Sequence, residues 1–199
     1  MTNKQFAEMA RGIALNIKTL YVLGAFGAPL NDTNKERYSN NYPYNKKHED
    51  MIRNAGKNVF AFDCSGLVKG ILWGWNADLK NMSGGAQYQS NDVPDINANT
   101  IFSKCSDISD DFNCIDIGEV CWMDGHIGIY IGGGLTVESN PNWKNGVQIT
   151  ACNRQHSCYN TQIWAKHGKL PWVTYTENVT KERLLEEIRE RLDLLEEII

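Results

Sequence analysis

Apolar residues near the start of the chain recur every three or four positions, which is the period of an α-helix. The pattern covers residues 4–21 and predicts an amphipathic helix there, ended by the glycines and the proline of GAFGAP. Further along, the stretch FDCSGLVKGILWGW predicts a second and more apolar helix over residues 65–73.

The second half of the chain changes to the short alternating runs that are typical of β-strands. Residues 119–123 and 126–131 flank Asp124-Gly125, a dipeptide that favours a two-residue type I′ hairpin turn. Three consecutive glycines then turn the chain into further predicted strands: residues 135–140, 147–151 and 162–167. The pattern predicts an α+β fold, in which N-terminal helices pack on a small antiparallel β-sheet.

Two polar stretches interrupt this pattern. Residues 31–58 are rich in Asn, Lys and Tyr and read as a long surface insertion, with one short helix around residues 47–55. Residues 76–114 read as loop, with one short helix near residues 99–104. Because long insertions are often functional, both stretches are candidates for the walls of a groove.

The end of the chain has a separate character. Beyond residue 175 the leucines and isoleucines follow steps of three and four, which predicts an amphipathic helix with a coiled-coil seam about two heptads long. We therefore divide the chain into a domain over residues 1–175 and a helical tail or linker over residues 176–199. The tail either folds back on the domain, connects it to another part, or supports weak self-association through residues 180–199.

Composition narrows the function. The 199 residues carry a net charge of -4 and no basic block, which argues against nucleic acid or an anionic membrane as the main partner. The first ten residues lack the layout of a secretory signal, so we expect synthesis in the cytoplasm. Six cysteines in such a chain are expected to be free thiols, and their spacing predicts neither a metal site nor a cofactor.

Cys64 is the first candidate for chemistry, because it lies just before the second predicted helix. A helix N-terminus lowers the pKa of a thiol through its dipole and its unpaired N–H groups. This signal is weak by itself, since free cysteines are among the most buried residues and most are inert.

The hairpin supplies the second candidate, His126. If Asp124-Gly125 forms the turn, Met123 pairs with His126, and His126 shares one strand face with Gly128 while the isoleucines point to the core. A three-residue glycine loop then pairs Ile131 with the first residue of the next strand. That register places Glu138 opposite Gly128 and Asn140 opposite His126, so either side chain is a candidate to orient the imidazole.

The motifs FDCSGLV and GHIGIYIG, followed by a polar residue on the next strand, resemble those of the NlpC-type papain-like cysteine peptidases that cut bacterial peptidoglycan. Upstream, YVLG resembles the Tyr-x-x-Gly of that family, and DIGEV resembles its Gly-Asp-Leu turn. The resemblance covers residues 4–152. It departs from the family at the insertion, and at Glu138, since the family usually has His, Asn or Gln there; ESN is closer to the Glu-then-Asn ending of the related CHAP group.

The resemblance implies roles for these positions. Cys64 matches the nucleophile, His126 the general base and Glu138 the orienting residue, with Asn140 as the alternative. The candidates for contact with the substrate or the oxyanion are Tyr21, Asp63 and Ser65.

The implied activity is cleavage of amide bonds in peptidoglycan stem peptides through an acyl-enzyme, by an endopeptidase of a phage, prophage or mobile element. Such an enzyme would act on the cell wall after release. An N-acetylmuramoyl-L-alanine amidase is the alternative bond specificity. From another class, a non-catalytic phage structural or scaffold protein that oligomerises through its tail is the alternative function.

Overall fold

A computed structural model describes residues 1–143 and 145–176 of the chain. The predicted helical tail and its coiled-coil seam lie outside the described residues, except for Thr176. Within the described part, helices and two β-sheets pack together, so the chain is α+β. Among these residues, no helix has the length and apolar character needed to span a bilayer.

The helices occupy mainly the first half of the chain. Their bounds are α1 Asn3–Asn16, α2 Asp32–Asn41, α3 Pro43–Lys47, α4 Glu49–Arg53, α5 Cys64–Leu72 and α6 Ala98–Phe102. The strands of the first half are β1 Lys18–Tyr21, β2 Phe26–Pro29 and β3 Val59–Phe62. The later strands are β4 Ser106–Ser109, β5 Val120–Met123, β6 His126–Gly132, β7 Leu135–Ser139, β8 Val147–Cys152, β9 Thr161–Gln162 and β10 Lys166–Lys169.

The larger sheet has the strand order β4-β10-β5-β6-β7-β8-β9, and its neighbours are antiparallel except for the β8–β9 pair. The smaller sheet has the order β1-β3-β2, with β1 and β3 parallel. Since β3 leads directly into α5, the smaller sheet fixes where α5 begins.

The main core lies between α1, α5 and one face of the larger sheet. Ile127 and Ile129 of β6 are fully buried there, as are Leu67 and Ile71 of α5. The prediction that the isoleucines of the hairpin face the core is therefore confirmed. The other face of β6 carries His126 and Gly128, and Trp164, in the loop between β9 and β10, covers it.

The predicted helix over residues 4–21 is too long. Helix α1 ends at Asn16, because Ile17 takes an extended conformation and the next four residues pair in parallel with β3. Thr19 also binds the start of β8, since its N–H donates to Asn145 and its hydroxyl accepts from the Val147 N–H. Helical spacing of apolar residues continues locally through Tyr21, but these long-range hydrogen bonds decide the structure.

The insertion over residues 31–58 is also more ordered than predicted, because it forms three helices rather than one. Asn31 caps α2, and Pro43 begins α3, both of which are common helix-start residues. These helices have almost no apolar stripe, and their buried apolar side chains are Tyr38 and Ile52.

Two strand predictions need correction. The strand predicted over residues 162–167 is divided into β9, which forms one edge of the larger sheet, and β10, which lies next to the opposite edge strand β4. Strand β4 lies in a stretch that was predicted to be loop, and its side chains are mostly exposed, so it has no alternating apolar pattern. The other helix and strand predictions hold to within a few residues.

Candidate active site

Asp63 fixes the start of α5. Its carboxylate accepts the Gly66 N–H at 2.5 Å and the Gly24 N–H at 2.7 Å, which caps the helix and ties it to the turn before β2. Gly66 lies so close to that turn that an added Cβ would be 2.0 Å from the Ala25 carbonyl oxygen. Cys64 lies between Asp63, which is fixed by these hydrogen bonds, and Gly66, which is fixed by its close approach to Ala25. The position of Cys64 is thus restrained on both sides.

Cys64 is the first residue of α5 and is 8 % exposed. Its Sγ lies 3.9 Å from the carbonyl oxygen of Gly125, in the turn that precedes β6. Among the described residues no hydrogen bond engages the Cys64 N–H. This N–H therefore remains available at the positive end of the helix dipole.

His126 is the first residue of β6, directly after that turn. The turn is braced by Asn99 of α6, whose side-chain oxygen accepts from the Gly125 N–H at 2.8 Å and whose amide donates to Asp124 at 2.8 Å. The observed pairing of Met123 with His126 confirms the register predicted from Asp124-Gly125.

Glu138 is the side chain that contacts the imidazole. Its Oε2 lies 2.6 Å from His126 Nε2, and its pairing opposite Gly128 confirms the predicted register. The other candidate, Asn140, donates to the same oxygen at 3.0 Å, while Thr150 donates to Oε1 at 2.8 Å. Both oxygens of this fully buried carboxylate are thus satisfied, and Asn140 supports Glu138 rather than the imidazole.

Trp164 covers the pair from the sheet face opposite the core. Its ring stacks on the His126 ring at a centroid distance of 5.2 Å and an interplanar angle of 7°. Its indole N–H donates to Thr136 at 3.3 Å. Gly128 makes room for the indole, since a Cβ there would be 2.8 Å from the Trp164 ring.

The electrostatics favour a charged imidazole. Burial by itself lowers the pKa of His126, but hydrogen bonds to Cys64 and Glu138 and their negative charges outweigh it and raise the pKa to about 9. Because Nε2 binds Glu138, the nitrogen left for the Cys64 thiol is Nδ1. A thiol, an imidazole and a buried carboxylate thus follow one another, which is the order that nucleophilic catalysis by a thiol requires.

The three predicted substrate-contacting residues lie close to Cys64. Burial raises the pKa of Tyr21, and the charges of Cys64 and Asp63 raise it further, so this phenol stays protonated beside the thiol. Ser65 donates to the Asp63 carboxylate at 3.0 Å, and burial raises the pKa of Asp63. Both Asp63 and Ser65 therefore support the helix start, and a role toward a substrate stays a prediction.

Two cavities adjoin these residues. One, of about 180 Å³, is lined by Tyr21 together with Tyr44, His48 and Trp143. The other, of about 270 Å³, is lined by Ser65 together with Tyr42 and Asp95. The insertion contributes Tyr42, Tyr44 and His48, so it lines part of both cavities. A larger cavity of about 690 Å³ follows α1 and includes none of the candidate site residues.

Comparison with known proteins does not assign a family. No model of a known protein family matches the chain, and no curated protein matches it significantly. Within the described residues, no group of three or more His, Cys, Asp or Glu side chains is arranged to hold a metal ion.

Sequence reasoning missed three residues of this site. Trp164 lies in a loop between two short strands, and nothing in the local pattern indicates that it reaches His126. Thr150 shares a strand face with Glu138 by its pairing position, so the alternation of β8 could have indicated it. Asn99 lies in a short helix far from the turn that it braces.

Proposed function

We propose that the chain is a papain-like cysteine peptidase in which Cys64 is the nucleophile and His126 the general base. The observation that carries this proposal is the 2.6 Å contact from His126 to the buried Glu138 carboxylate. His126 begins β6, directly after the turn whose Gly125 carbonyl oxygen lies 3.9 Å from the Cys64 thiol. A buried histidine can also be held for structural reasons alone, as His167 is by Glu119 and the Asp111 carbonyl oxygen, with no thiol as its partner. A histidine oriented by a triply hydrogen-bonded carboxylate and directed at a thiol is suited to move a proton.

In the proposed reaction the Cys64 thiol gives its proton to His126 Nδ1, and the resulting thiolate attacks the carbonyl carbon of an amide. The Cys64 N–H lies at the helix N-terminus, where it can donate to the oxygen that becomes negative. The imidazolium then protonates the leaving amine, and an acyl-enzyme remains. Water, deprotonated by His126, releases the acid and restores the thiol.

Peptidoglycan stem peptides are the proposed substrate. The support is the resemblance of the cysteine and histidine motifs to NlpC-type peptidases, together with the two cavities, one lined by Tyr21 and the other by Asp63 and Ser65. The insertion lines both cavities, and we therefore assign it a part in substrate selection. A lysin of a phage, prophage or mobile element would use such a reaction to open the wall.

Digestion of purified cell walls tests this proposal. The wild-type chain should release soluble fragments under reducing conditions, whereas Cys64→Ala should release none. Cys114→Ala is the matched control, because Cys114 is an exposed cysteine outside the site. Equal release by wild type and Cys64→Ala would contradict the role of Cys64. No release by either protein from walls of several species would contradict the hydrolase and favour the non-catalytic alternative.

The masses of the fragments distinguish the two candidate bonds. Cleavage within the stem peptide leaves part of the peptide on the sugar. Cleavage by an N-acetylmuramoyl-L-alanine amidase instead releases the whole peptide.

A further inference from the structure

Two cysteines outside the candidate active site lie together inside the protein. Cys121 is on β5 and Cys152 ends β8, two strands that are separated by β6 and β7 in the sheet order. Both are free thiols, and they form one small buried cluster with Trp164. The two side chains belong to the same packed cluster, and the Cys121 thiol is placed to donate a hydrogen bond to Cys152.

The two thiols differ in access. Cys121 is fully buried, whereas Cys152 lines a cavity of about 370 Å³ together with Tyr130, Asn153 and Arg154. None of the candidate catalytic residues lines this cavity. A small reactant can therefore reach Cys152 without passing the Cys64 site.

The two thiols also differ in acidity. The hydrogen bond from Cys121 lowers the pKa of Cys152, and the nearby positive charge of Arg154 lowers it further against the opposing effect of burial. Burial raises the pKa of Cys121. A thiol of lowered pKa with a cation nearby and a second thiol in the same buried cluster is the arrangement of an oxidation-sensitive cysteine with its resolving partner.

We propose that Cys152 and Cys121 form a second, redox-active thiol centre, in which a small hydroperoxide enters the cavity beside Arg154 and converts the pair to a disulfide. The Cys152 thiolate attacks the terminal peroxide oxygen, the O–O bond breaks, and the leaving alkoxide or hydroxide takes up a proton. Cys152 is then a sulfenic acid. The Cys121 sulfur displaces its oxygen, which leaves as water with the Cys121 proton, and the S–S bond forms.

The remaining cysteines provide an internal comparison. Burial raises the pKa of Cys105 to about 12, so it stays a thiol at neutral pH. Cys114 and Cys158 are exposed. Oxidation of the Cys121–Cys152 pair is therefore expected to be selective over Cys105 and to yield an internal disulfide, while exposed cysteines yield sulfenic acids or links between chains.

Peptide mapping after treatment with hydrogen peroxide tests the proposal, in the full chain carrying Cys64→Ala to remove the candidate nucleophile. The number of free thiols should fall by two. The map should show a disulfide-linked peptide that joins Cys121 to Cys152 and disappears when a reductant is added. Since thiolate character controls the rate, dimedone should label Cys152 at least about tenfold faster than Cys105 when Cys121→Ser removes the resolving thiol. Cys152→Ser should leave Cys121 unlabelled.

Two outcomes would overturn the proposal. One is peroxide treatment that modifies Cys114 and Cys158 while Cys121 and Cys152 stay reduced and unlinked. The other is equal dimedone labelling of Cys152 and Cys105. Arg154→Gln changes an exposed side chain and leaves the buried cluster intact, so it tests the site without a folding defect. It should slow the formation of the disulfide, and an unchanged rate would contradict the role of Arg154.

Discussion

Replacing Glu138 by Gln changes the charge of the orienting side chain and almost nothing else. The amide has the same size as the carboxylate and keeps an oxygen that can accept from Thr150 or Asn140. It cannot balance a positive charge on His126, which now lies 2.6 Å from the carboxylate oxygen. The variant should therefore fold and should lose the part of the preference for the imidazolium form that Glu138 supplies.

The size of that preference follows from the pKa of His126, which is about 9 in place of the ordinary 6.5. A difference of about 2.5 units corresponds to about 3 kcal/mol in favour of the charged ring, shared between Cys64 and Glu138. If Glu138 supplies about half, its loss lowers the pKa of His126 by at least about one unit and kcat by about tenfold or more.

The dependence of kcat on pH is the measurement. Wild-type activity should fall as pH rises through about 9, because the imidazolium must protonate the leaving amine. In Glu138→Gln this basic limb should lie at lower pH. Thr150→Val, which removes only the hydrogen bond to Oε1, should shift the limb less. A Glu138→Gln enzyme with an unmoved basic limb and kcat within about twofold of wild type would refute the reasoning.

The same variant has a stability signature. The folded-state pKa of His126 lies above its unfolded value, so the stabilisation is fully present below about pH 6.5 and is lost as pH rises through about 9. The thermal midpoint of wild type should therefore fall across this window. The fall should be smaller in Glu138→Gln, and equal falls in both proteins would show that the pair does not carry the effect.

Two glycine substitutions test the packing that holds the site. Gly66→Ala should lower stability by about 1–3 kcal/mol and reduce activity, because its Cβ would clash with the Ala25 carbonyl oxygen. Gly12→Ala is the control, because this helical glycine has open space around the added Cβ. It should stabilise the protein by about 0.5–1 kcal/mol. Equal thermal midpoints for the two would contradict the close contact. Gly128→Ala should push Trp164 off the imidazole and lower kcat, and unchanged activity with intact folding would show that the stacking is dispensable.

The parts of the site that the sequence predicts are those that neighbours along the chain determine. Asp124-Gly125 favours one tight turn, and the alternation after it assigns the two faces of β6 without knowledge of the rest of the fold. The start of α5 is equally local, because Asp63 caps its own helix. The sequence therefore predicts the local structure around Cys64 and His126 as well as the two residues themselves.

The parts that the sequence does not predict depend on residues far apart in the chain. Residues 18–21 keep the apolar spacing of the helix before them and become a strand because β3, about forty positions later, offers a parallel partner. Trp164 is similar, since it is held by two hydrogen bonds to Asn153 and reaches His126 across the sheet. The spacing of apolar residues along the chain does not indicate such long-range contacts.

The turn between β6 and β7 shows how a wrong local detail left the site prediction correct. We predicted that Ile131 pairs with Leu135 across a three-residue loop, whereas Gly132 pairs with Leu135 and Ile131 forms a bulge. A two-residue turn without the bulge would shift the register by one and move Glu138 to the isoleucine face, where its charge would be buried among apolar side chains. The bulge restores the pairing of Gly128 with Glu138. The observed register is therefore favoured because it keeps Glu138 on the face of His126 and away from the apolar core. The glycines allow the turn and the bulge that this register requires.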